Sequence, residues 1–325
     1  VTPERVERLT QRQVSEVLRL VRAATETDKV APLSEQVLLS AREGPPEGSP
    51  DPATGSVHLL AHTGTHLSGY AHLERAPDGD NATAEVVVGP SFRRQGTGTA
   101  LLHALEGALA TGTSSRATLQ LWSHGDLDAA RAFASMGGYS KTRELWQMRR
   151  SLRSDAPALP TVTLPEGFRT RHFIAGRDEE AWLRVNALAF VDHPEQGRIA
   201  RHDLGQRIAQ EWFDACGFIL IEDTLGPEPV LVASHWTKVV PPDNQGIDPT
   251  VGEVYVVGVD PAYQGQGLGG TVTVLGLAHL REKGLTEAML YVDSDNLAAI
   301  ATYSRLDFAR SAVDIMYSRI VHTPM

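Results

Sequence analysis

Residues Glu253–Gly270 read EVYVVGVDPAYQGQGLGG, and the rest of the chain is organised around them. The first half is β-branched and alternating, which predicts a strand. Asp260-Pro261 ends it, because proline cannot donate to a ladder. The glutamine-glycine run Gln264-Gly265-Gln266-Gly267-Leu268-Gly269-Gly270 follows, then an apolar segment, Thr271–Glu282, with helical character. Strand, glycine loop and helix N-terminus together aim backbone N–H groups at one point, an arrangement suited to an anion. The expected ligand carries phosphate.

The same construction occurs earlier in the chain. A strand over Thr83–Val88 ends at Gly89-Pro90, and Arg93-Arg94-Gln95-Gly96-Thr97-Gly98 then opens a helix running to about Ala110. Pro90 to Pro261, Gly96 to Gly267 and Gly98 to Gly269 all lie 171 residues apart, and Phe133 to Tyr303 lies 170 apart. This is an internal repeat. Between the copies, SLRSDAPALPTVTLPE (Ser151–Glu166) holds three prolines and no period, so it reads as a linker. The expected organisation is a first unit over residues 1–150, a linker over 151–166 and a second unit over 167–325.

In the first copy, helical spacing covers Arg5–Ala24 and Ser34–Arg42, a Pro/Gly/Ser loop covers Gly44–Gly55, and Gly64-Thr65 joins strands Val57–His62 and Leu67–Leu73. Strand Thr118–Trp122, helix Asp126–Ser135 and strand Leu145–Arg150 close the copy. The second copy has helices at Asp178–Phe190 and His202–Asp214 and strands at Gly217–Glu222 and Val230–Lys238. A loop over Pro241–Gly252 leads into the opening strand. Strand Ala288–Val292, helix Asn296–Leu306 and strand Ile315–Val321 follow the glycine loop.

Gly265, Gly267 and Gly270 also satisfy G-x-G-x-x-G, but a dinucleotide fold needs those glycines directly after its first strand. Here they come late, and Asp260–Tyr263 intervenes. The better description is Q/R-x-x-G-x-G/A after a strand, seen at Gln264–Gly269 and again at Arg93–Gly98. Both copies thereby resemble the GNAT N-acetyltransferases, whose pyrophosphate loop has this form. A second family signature is visible as Asn296-x6-Tyr303, with Asp307-Phe308 in place of the usual Gly-Phe. The resemblance covers nearly the whole chain. It implies an α+β fold: two tandem acyl-CoA N-acyltransferase domains, each a mixed, mostly antiparallel sheet flanked by helices.

Composition sets outer bounds. A formal net charge of −10 disfavours nucleic acid as the main partner. The single cysteine, Cys216, excludes an intrachain disulfide and a cysteine-based zinc cluster, and its place before an apolar strand suggests a buried thiol. No apolar run approaches the ~20 residues needed to span a bilayer. The charged start Val1–Gln13 does not read as a signal peptide. A cytoplasmic monomer without membrane contact is expected. His58, His62 and His66 alternate near a strand, but no carboxylate cluster accompanies them, so no metal is expected.

Acyl transfer to an amine needs a held thioester, a base, oxyanion stabilisation and an acid for the leaving thiolate. The resemblance assigns the base to Glu253 and the acid to Tyr303. By the offset, Glu253 falls on Ala82 and Tyr303 on Phe133, so the first copy keeps the phosphate loop and lacks both proton-handling groups. The second copy is therefore the expected catalyst, and the first a non-catalytic binder of acetyl-CoA.

Further cofactor contacts follow from the resemblance. Val257, Gly258 and Val259 pair with the pantetheine arm, and one N–H there faces the oxyanion. Gln264, Gly265, Gln266, Gly267, Leu268, Gly269 and Gly270 hold the pyrophosphate. Asn296, Leu297, Ala298, Ala299, Ile300 and Ala301 flank the reactive end. The first copy offers Val86, Val87 and Val88 with Arg94, Gln95, Gly96, Thr97, Gly98 and Thr99.

Longer strings resemble one tandem subgroup of the family. They are APLSEQVL (Ala31–Leu38), Arg184-Val185-Asn186, His193–Gly197, His235–Lys238, Gly252–Val256 and, before the linker, Glu144-Leu145-x2-Met148-Arg149-Arg150. The subgroup implies a small-molecule acceptor, Cys-GlcN-Ins, whose cysteinyl amine attacks acetyl-CoA directly in a ternary complex. It puts Glu35, Glu195, Lys238 and Tyr291 with Glu253 at the acceptor site, with Glu35 supplied by the first copy. Two other readings stay open: a tandem acetyltransferase for another amine, and an acyl-CoA sensor in which neither copy turns over.

Overall fold

The structure, a computed structural model, describes residues 2–43, 56–76, 81–110, 116–191, 193–240 and 250–322. The loop expected at Gly44–Gly55 and residues 241–249 of the loop expected before Val251 lie outside these. The chain forms two compact units: residues 1–145 with 312–325, and residues 146–311.

The first unit contains β1 (Glu4–Val6), α1 (Gln11–Asp28), α2 (Glu35–Glu43), β2 (Ser56–Thr63), β3 (His66–Arg75) and β4 (Asn81–Val88). Helix α3 (Thr97–Ala110), β5 (Arg116–Ser123), α4 (Asp128–Met136) and the start of β6 (Ser140–Ser151) follow. Helix α1 begins six residues after the first predicted position. A capping box at Thr10, whose side chain accepts from Gln13 N–H while Gln13 reaches back, fixes its start, and Glu4–Val6 pairs instead with β2. In the sheet, β1 to β5 are neighbours in sequence order, and all these pairs are antiparallel except the parallel β4–β5. One face of the sheet packs on α3 through Leu59, Leu73, Ala84, Leu101 and Leu105. The other packs on α1 and α2 through Val17, Val37, Leu60 and Tyr70.

The second unit begins in β6 and continues with β7 (Phe168–His172), α5 (Glu179–Ala189), α6 (Pro194–Gly197), α7 (Arg201–Ile208), β8 (Phe218–Asp223) and β9 (Val230–Lys238). Then come β10 (Val251–Val259), α8 (Leu268–Glu282), β11 (Glu287–Asp293), α9 (Leu297–Arg305) and the start of β12 (Ala309–His322). Strands β7, β8, β9 and β10 pair antiparallel in turn, and β10 pairs β11 in parallel. Helix α8 covers one face through Val272, Val274, Leu277 and Leu280. On the other, α5 and α7 cover an aromatic cluster in which Phe218 and Trp236 stack at 4.5 Å and Trp182 meets Trp236 edge-on at 5.8 Å.

Each unit is thus an α+β layer of helices on both faces of a mixed sheet. Residues 152–165 have no helix or strand, and Leu159, Val162 and Leu164 pack onto the apolar clusters of the second unit. Two elements depart from expectation. Strand β7 has no apolar alternation and is held by its edge and by Arg171, which pairs with both Asp178 and Glu222. Helix α7 stops at Ile208, short of Asp214, which instead caps the turn before β8 by accepting from Cys216 N–H at 2.9 Å. That cap turns Cys216 outward, so the thiol expected to be buried is exposed.

Candidate active site

The feature that defines the site is a place where two parallel strands part. Strands β10 and β11 pair only at Val251–Glu253 with Glu287–Met289, yet β10 runs on to Val259 and β11 to Asp293. Beyond Glu253, one edge of β10 is therefore open. Asp260 donates its backbone N–H to Val232 O on β9 at 2.8 Å. Because N–H groups alternate along an extended strand, those of Val257 and Val259 point away from β9 to the open edge. An extended ligand with amide groups can add there like a strand.

Strand β10 also carries a bulge. Val254 pairs with Thr237 and Val256 with Trp236, which leaves Tyr255 as an extra residue. Val254 packs with α8, whereas Tyr255 and Val256 both pack into the aromatic cluster of the opposite face. Strand β4 has no bulge. Gly89 N–H bonds Ser68 O as Asp260 N–H bonds Val232 O, so the two strands can be aligned from that point. Counting back through the pairings, Glu253 opposite Lys238 corresponds to Thr83 opposite Glu74. The fixed offset of 171 pointed to Ala82; the inserted residue shifts the match by one. Either way no carboxylate stands at that place in the first unit.

Around Glu253 the structure gathers Lys238, Trp212 and Tyr255. The Lys238 ammonium lies 4.0 Å from Glu253 Oε2 and over the Trp212 and Tyr255 rings at 5.0 and 5.1 Å from their centroids. Tyr291, also expected at the acceptor site, is 40% exposed on β11, and its hydroxyl accepts from Gln147 Nε2 at 3.1 Å. Glu195 sits in the single turn of α6, and its side chain is not among those described. That turn is anchored by the buried Asn186, which exchanges two hydrogen bonds with Gln196. Next to it, His193 Nδ1 lies 3.0 Å from Asp293 Oδ2. Glu35 opens α2 in the first unit and is half-buried.

Tyr303 lies on α9 against the α8-side core, edge-on to Phe308 at 5.9 Å. Burial pushes its phenol up to about 12, so it keeps its proton at any physiological pH. Asn296 caps α9 by accepting from Ala299 N–H at 3.1 Å, Ala299 and Ile300 pack inward, and Leu297 is 73% exposed.

The two glycine loops share one backbone conformation. Gly265 and Gly267 both have φ +79°, and Arg94 and Gly96 have φ +60° and +85°. Left-handed residues alternating with ordinary ones turn successive N–H groups inward, the form of an anion-binding nest, and α8 and α3 start directly behind them. Arg184 steadies the turn before the second loop by pairing with Asp260 at 3.0 Å; Arg93, fastened to Asp28 by two bonds of 2.8 and 2.6 Å, steadies the first loop. Leu268 and Thr97 are buried at the helix starts, and Gly98 lies under Phe133, where a Cβ would meet the ring at 3.2 Å.

In the first unit the parallel pairing runs on to Glu85 and Trp122, so only Val86, Val87 and Val88 lie past it. A buried polar network occupies this region. Glu85 accepts from Ser34 N–H at 2.6 Å, and His124 Nε2 lies 3.7 Å from it while His124 Nδ1 lies 3.0 Å from Asp314 Oδ2. His58 Nδ1 and Tyr70 Oη are 2.7 Å apart, and Ser40 Oγ lies 3.1 Å from His72 Nε2. Among the described residues, no group of three or more His, Cys, Asp or Glu side chains is placed to hold a metal ion. No described helix is long and apolar enough to cross a membrane.

Parted parallel strands and a nested loop before a helix define the class. The chain belongs to the acetyltransferase (GNAT) family, whose sequence profile matches twice, over residues 32–138 and 182–308. It is an acetyl-transferring enzyme. Among individual proteins it is 50% identical over 309 residues to a mycothiol acetyltransferase of Thermomonospora curvata, covering 95% of this chain and 94% of that one. A mycothiol acetyltransferase of Thermobispora bispora is 48% identical over 303 residues, covering 93% and 95%. In fold it matches a tandem GNAT protein from the clavulanic acid biosynthesis pathway with TM-score 0.72 at 16% identity, over 100% and 99% of the two chains. A GCN5-related N-acetyltransferase from Sphaerobacter thermophilus matches with TM-score 0.68 at 21% identity, over 100% and 98%.

Proposed function

We propose that this chain is a mycothiol acetyltransferase that moves the acetyl group of acetyl-CoA to the cysteinyl amine of Cys-GlcN-Ins, with the second unit as catalyst. The observation that carries the reading is Glu253. It is the last residue of β10 paired to β11 before the strands part, on a strand whose other end leads to the nested loop. The loop Gln264–Gly270 and the α8 N-terminus suit a pyrophosphate, and the open edge at Val257 and Val259 suits an amide-bearing arm.

Glu253 takes the proton of the attacking amine, either directly or through water. An N–H on the open edge faces the charge that develops on the carbonyl oxygen. Tyr303, a protonated phenol packed against the α8-side core, returns a proton to the departing thiolate. Nucleophile, thioester and products balance without a covalent enzyme intermediate. Lys238, Tyr291 and Glu195 serve the acceptor, whose amine and many hydroxyls suit a carboxylate and a phenol. The first unit keeps a nested loop and has Thr83 where Glu253 stands, so it binds acetyl-CoA without turnover.

The test is release of free CoA thiol on mixing purified protein, acetyl-CoA and Cys-GlcN-Ins. Glu253→Gln is expected to lower kcat by about 10²–10⁴-fold and Tyr303→Phe by about 10²-fold, the usual scale of general acid–base catalysis. A Gly96→Val/Gly98→Val double variant should keep wild-type kcat. If only that double variant lost activity, the assignment of catalyst and binder would be reversed. Turnover with other amines but not with Cys-GlcN-Ins would point to a different acceptor.

A further inference from the structure

The environment of Lys238 is unusually specific. The side chain is 8% exposed. A buried ammonium is costly unless something replaces its water. Part of the replacement is aromatic: the Trp212 and Tyr255 rings stand 5.0 and 5.1 Å from Nζ, within the range where ring faces attract cations. The rings themselves are held. Trp212 and Tyr255 meet at 5.2 Å and 70°, Trp236 meets Tyr255 at 5.3 Å and 89°, and Arg207 Nε donates to the Tyr255 hydroxyl at 2.8 Å.

The bulge sets which side of the sheet Tyr255 and Glu253 face. In an unbroken strand, residues 254 and 256 would share a face and 255 would share the other with 253 and 257. The extra residue lets Glu253, Tyr255 and Val256 sit on the aromatic side while Val254 and Val257 pack toward α8. Counted back from Val257, which packs toward α8, this local irregularity therefore turns Glu253 and Tyr255, which share a face in any case, to the aromatic side. The first unit, without the bulge, has Thr83 opposite Glu74 at this point and no such cage among its described residues.

We propose that Trp212 and Tyr255 are positioning residues for acetyl transfer: their rings hold the Lys238 ammonium at a fixed place beside Glu253. This rests on Glu253 acting as the base. A lysine side chain has four rotatable bonds, and the two rings narrow the positions its ammonium can take beside the carboxylate. With them, the Lys238 ammonium keeps one position relative to Glu253 and to the acceptor bound there.

The experiment replaces Trp212 site-specifically, in the full-length protein, with tryptophans bearing one to four fluorines. Fluorination drains the ring face of negative charge and hardly changes its size. The expected result is a stepwise fall in kcat of about tenfold across the series, the scale of a desolvated cation–π contact, with KM for acetyl-CoA unchanged. Tyr255→Leu should fall similarly, and Tyr255→Phe, which keeps the ring, should recover most of that loss. In parallel, modification of Lys238 by acetic anhydride, followed by peptide mass spectrometry, should speed up along the same series. A flat kcat and flat reactivity in an enzyme that is otherwise active overturn the proposal, since a purely structural ring would behave that way. A wild-type protein that does not acetylate Cys-GlcN-Ins overturns the reading of Glu253 instead, and rising Lys238 reactivity in that protein identifies this case.

Discussion

His124 shows how far a single residue can depart from its ordinary chemistry. Burial alone would lower its pKa, but Asp314 at 3.0 Å and Glu85 at 3.7 Å outweigh burial and hold it up to about 10. Glu85, also buried, is lowered by His124 and by the Ser34 N–H. A raised folded-state pKa adds stability that is complete below the ordinary value of about 6.5 and is lost as pH rises through about 10. His58 and His72 behave oppositely. Burial lowers both to about 4, so they must take up protons on unfolding, and stability falls as pH drops from 6.5 toward 4. Denaturant midpoints measured from pH 4 to 10 should therefore fall at both ends. His124→Gln should flatten the alkaline fall and leave the acid one, whereas a wild-type midpoint constant from pH 7 to 10 would contradict the pairing.

At the scale of elements, two glycines decide whether the site is assembled. Helix α8 lies directly on β9 because Gly276 faces the His235 ring; a Cβ there would come within 2.1 Å of it. His235 is fully buried, with Nδ1 3.0 Å from Val272 O on the same helix. Gly276→Ala must push helix and strand apart, and the expected cost is about 1–3 kcal/mol of unfolding free energy, the range for overpacked cores. Urea denaturation reads it directly. The loop before α8 makes a different demand. Gly267, at φ +79°, is its N-cap, and a Cβ added there would meet nothing within 4 Å. Gly267→Val is strained in backbone only and covers the N–H nest, so acetyl-CoA KM should rise about tenfold or more while the urea midpoint moves by less than for Gly276→Ala. Equal damage to both properties would argue against a phosphate role for the loop.

Across the whole molecule, the two units are not two consecutive segments of chain. Residues 312–325 belong to the first unit, where β12 pairs antiparallel with β5 from Ile315–Ser123 to His322–Arg116. They bring Ile315 and Tyr317 into its core and Asp314 to His124. In return, residues 146–151 of β6 belong to the second unit, where Met148 and Leu152 join the α8-side core. A protein ending at Ser311 should thus be damaged far from the cut. Burial of side chains such as Ile315 is worth about 1.5–3 kcal/mol each. Amide hydrogen exchange should accelerate across Arg116–Ser123 while β8 and β9 stay protected. Unchanged protection of β5 would show that β12 is dispensable to the first unit.

Local signals were enough for the class of protein and for most elements. The spacing of Pro90, Gly96 and Gly98 against Pro261, Gly267 and Gly269, and the strand–loop–helix order around each, follow from chain-local rules about proline, glycine and helix ends. Those rules act over a few residues, so one sequence suffices to read them. What the sequence could not show was any feature set by a partner strand. The bulge at Tyr255 exists only relative to β9, and it moves the counterpart of Glu253 from Ala82 to Thr83. Trp212 reads as one more core aromatic until the fold sets its ring over Lys238, 26 residues on. Cys216 looked buried because its neighbours are apolar, and the Asp214 cap turns it out. The C-terminal strand, alternating like any other, carries no mark of the unit that holds it. Pairing and packing are sums over distant residues, and those are what the tertiary structure decides.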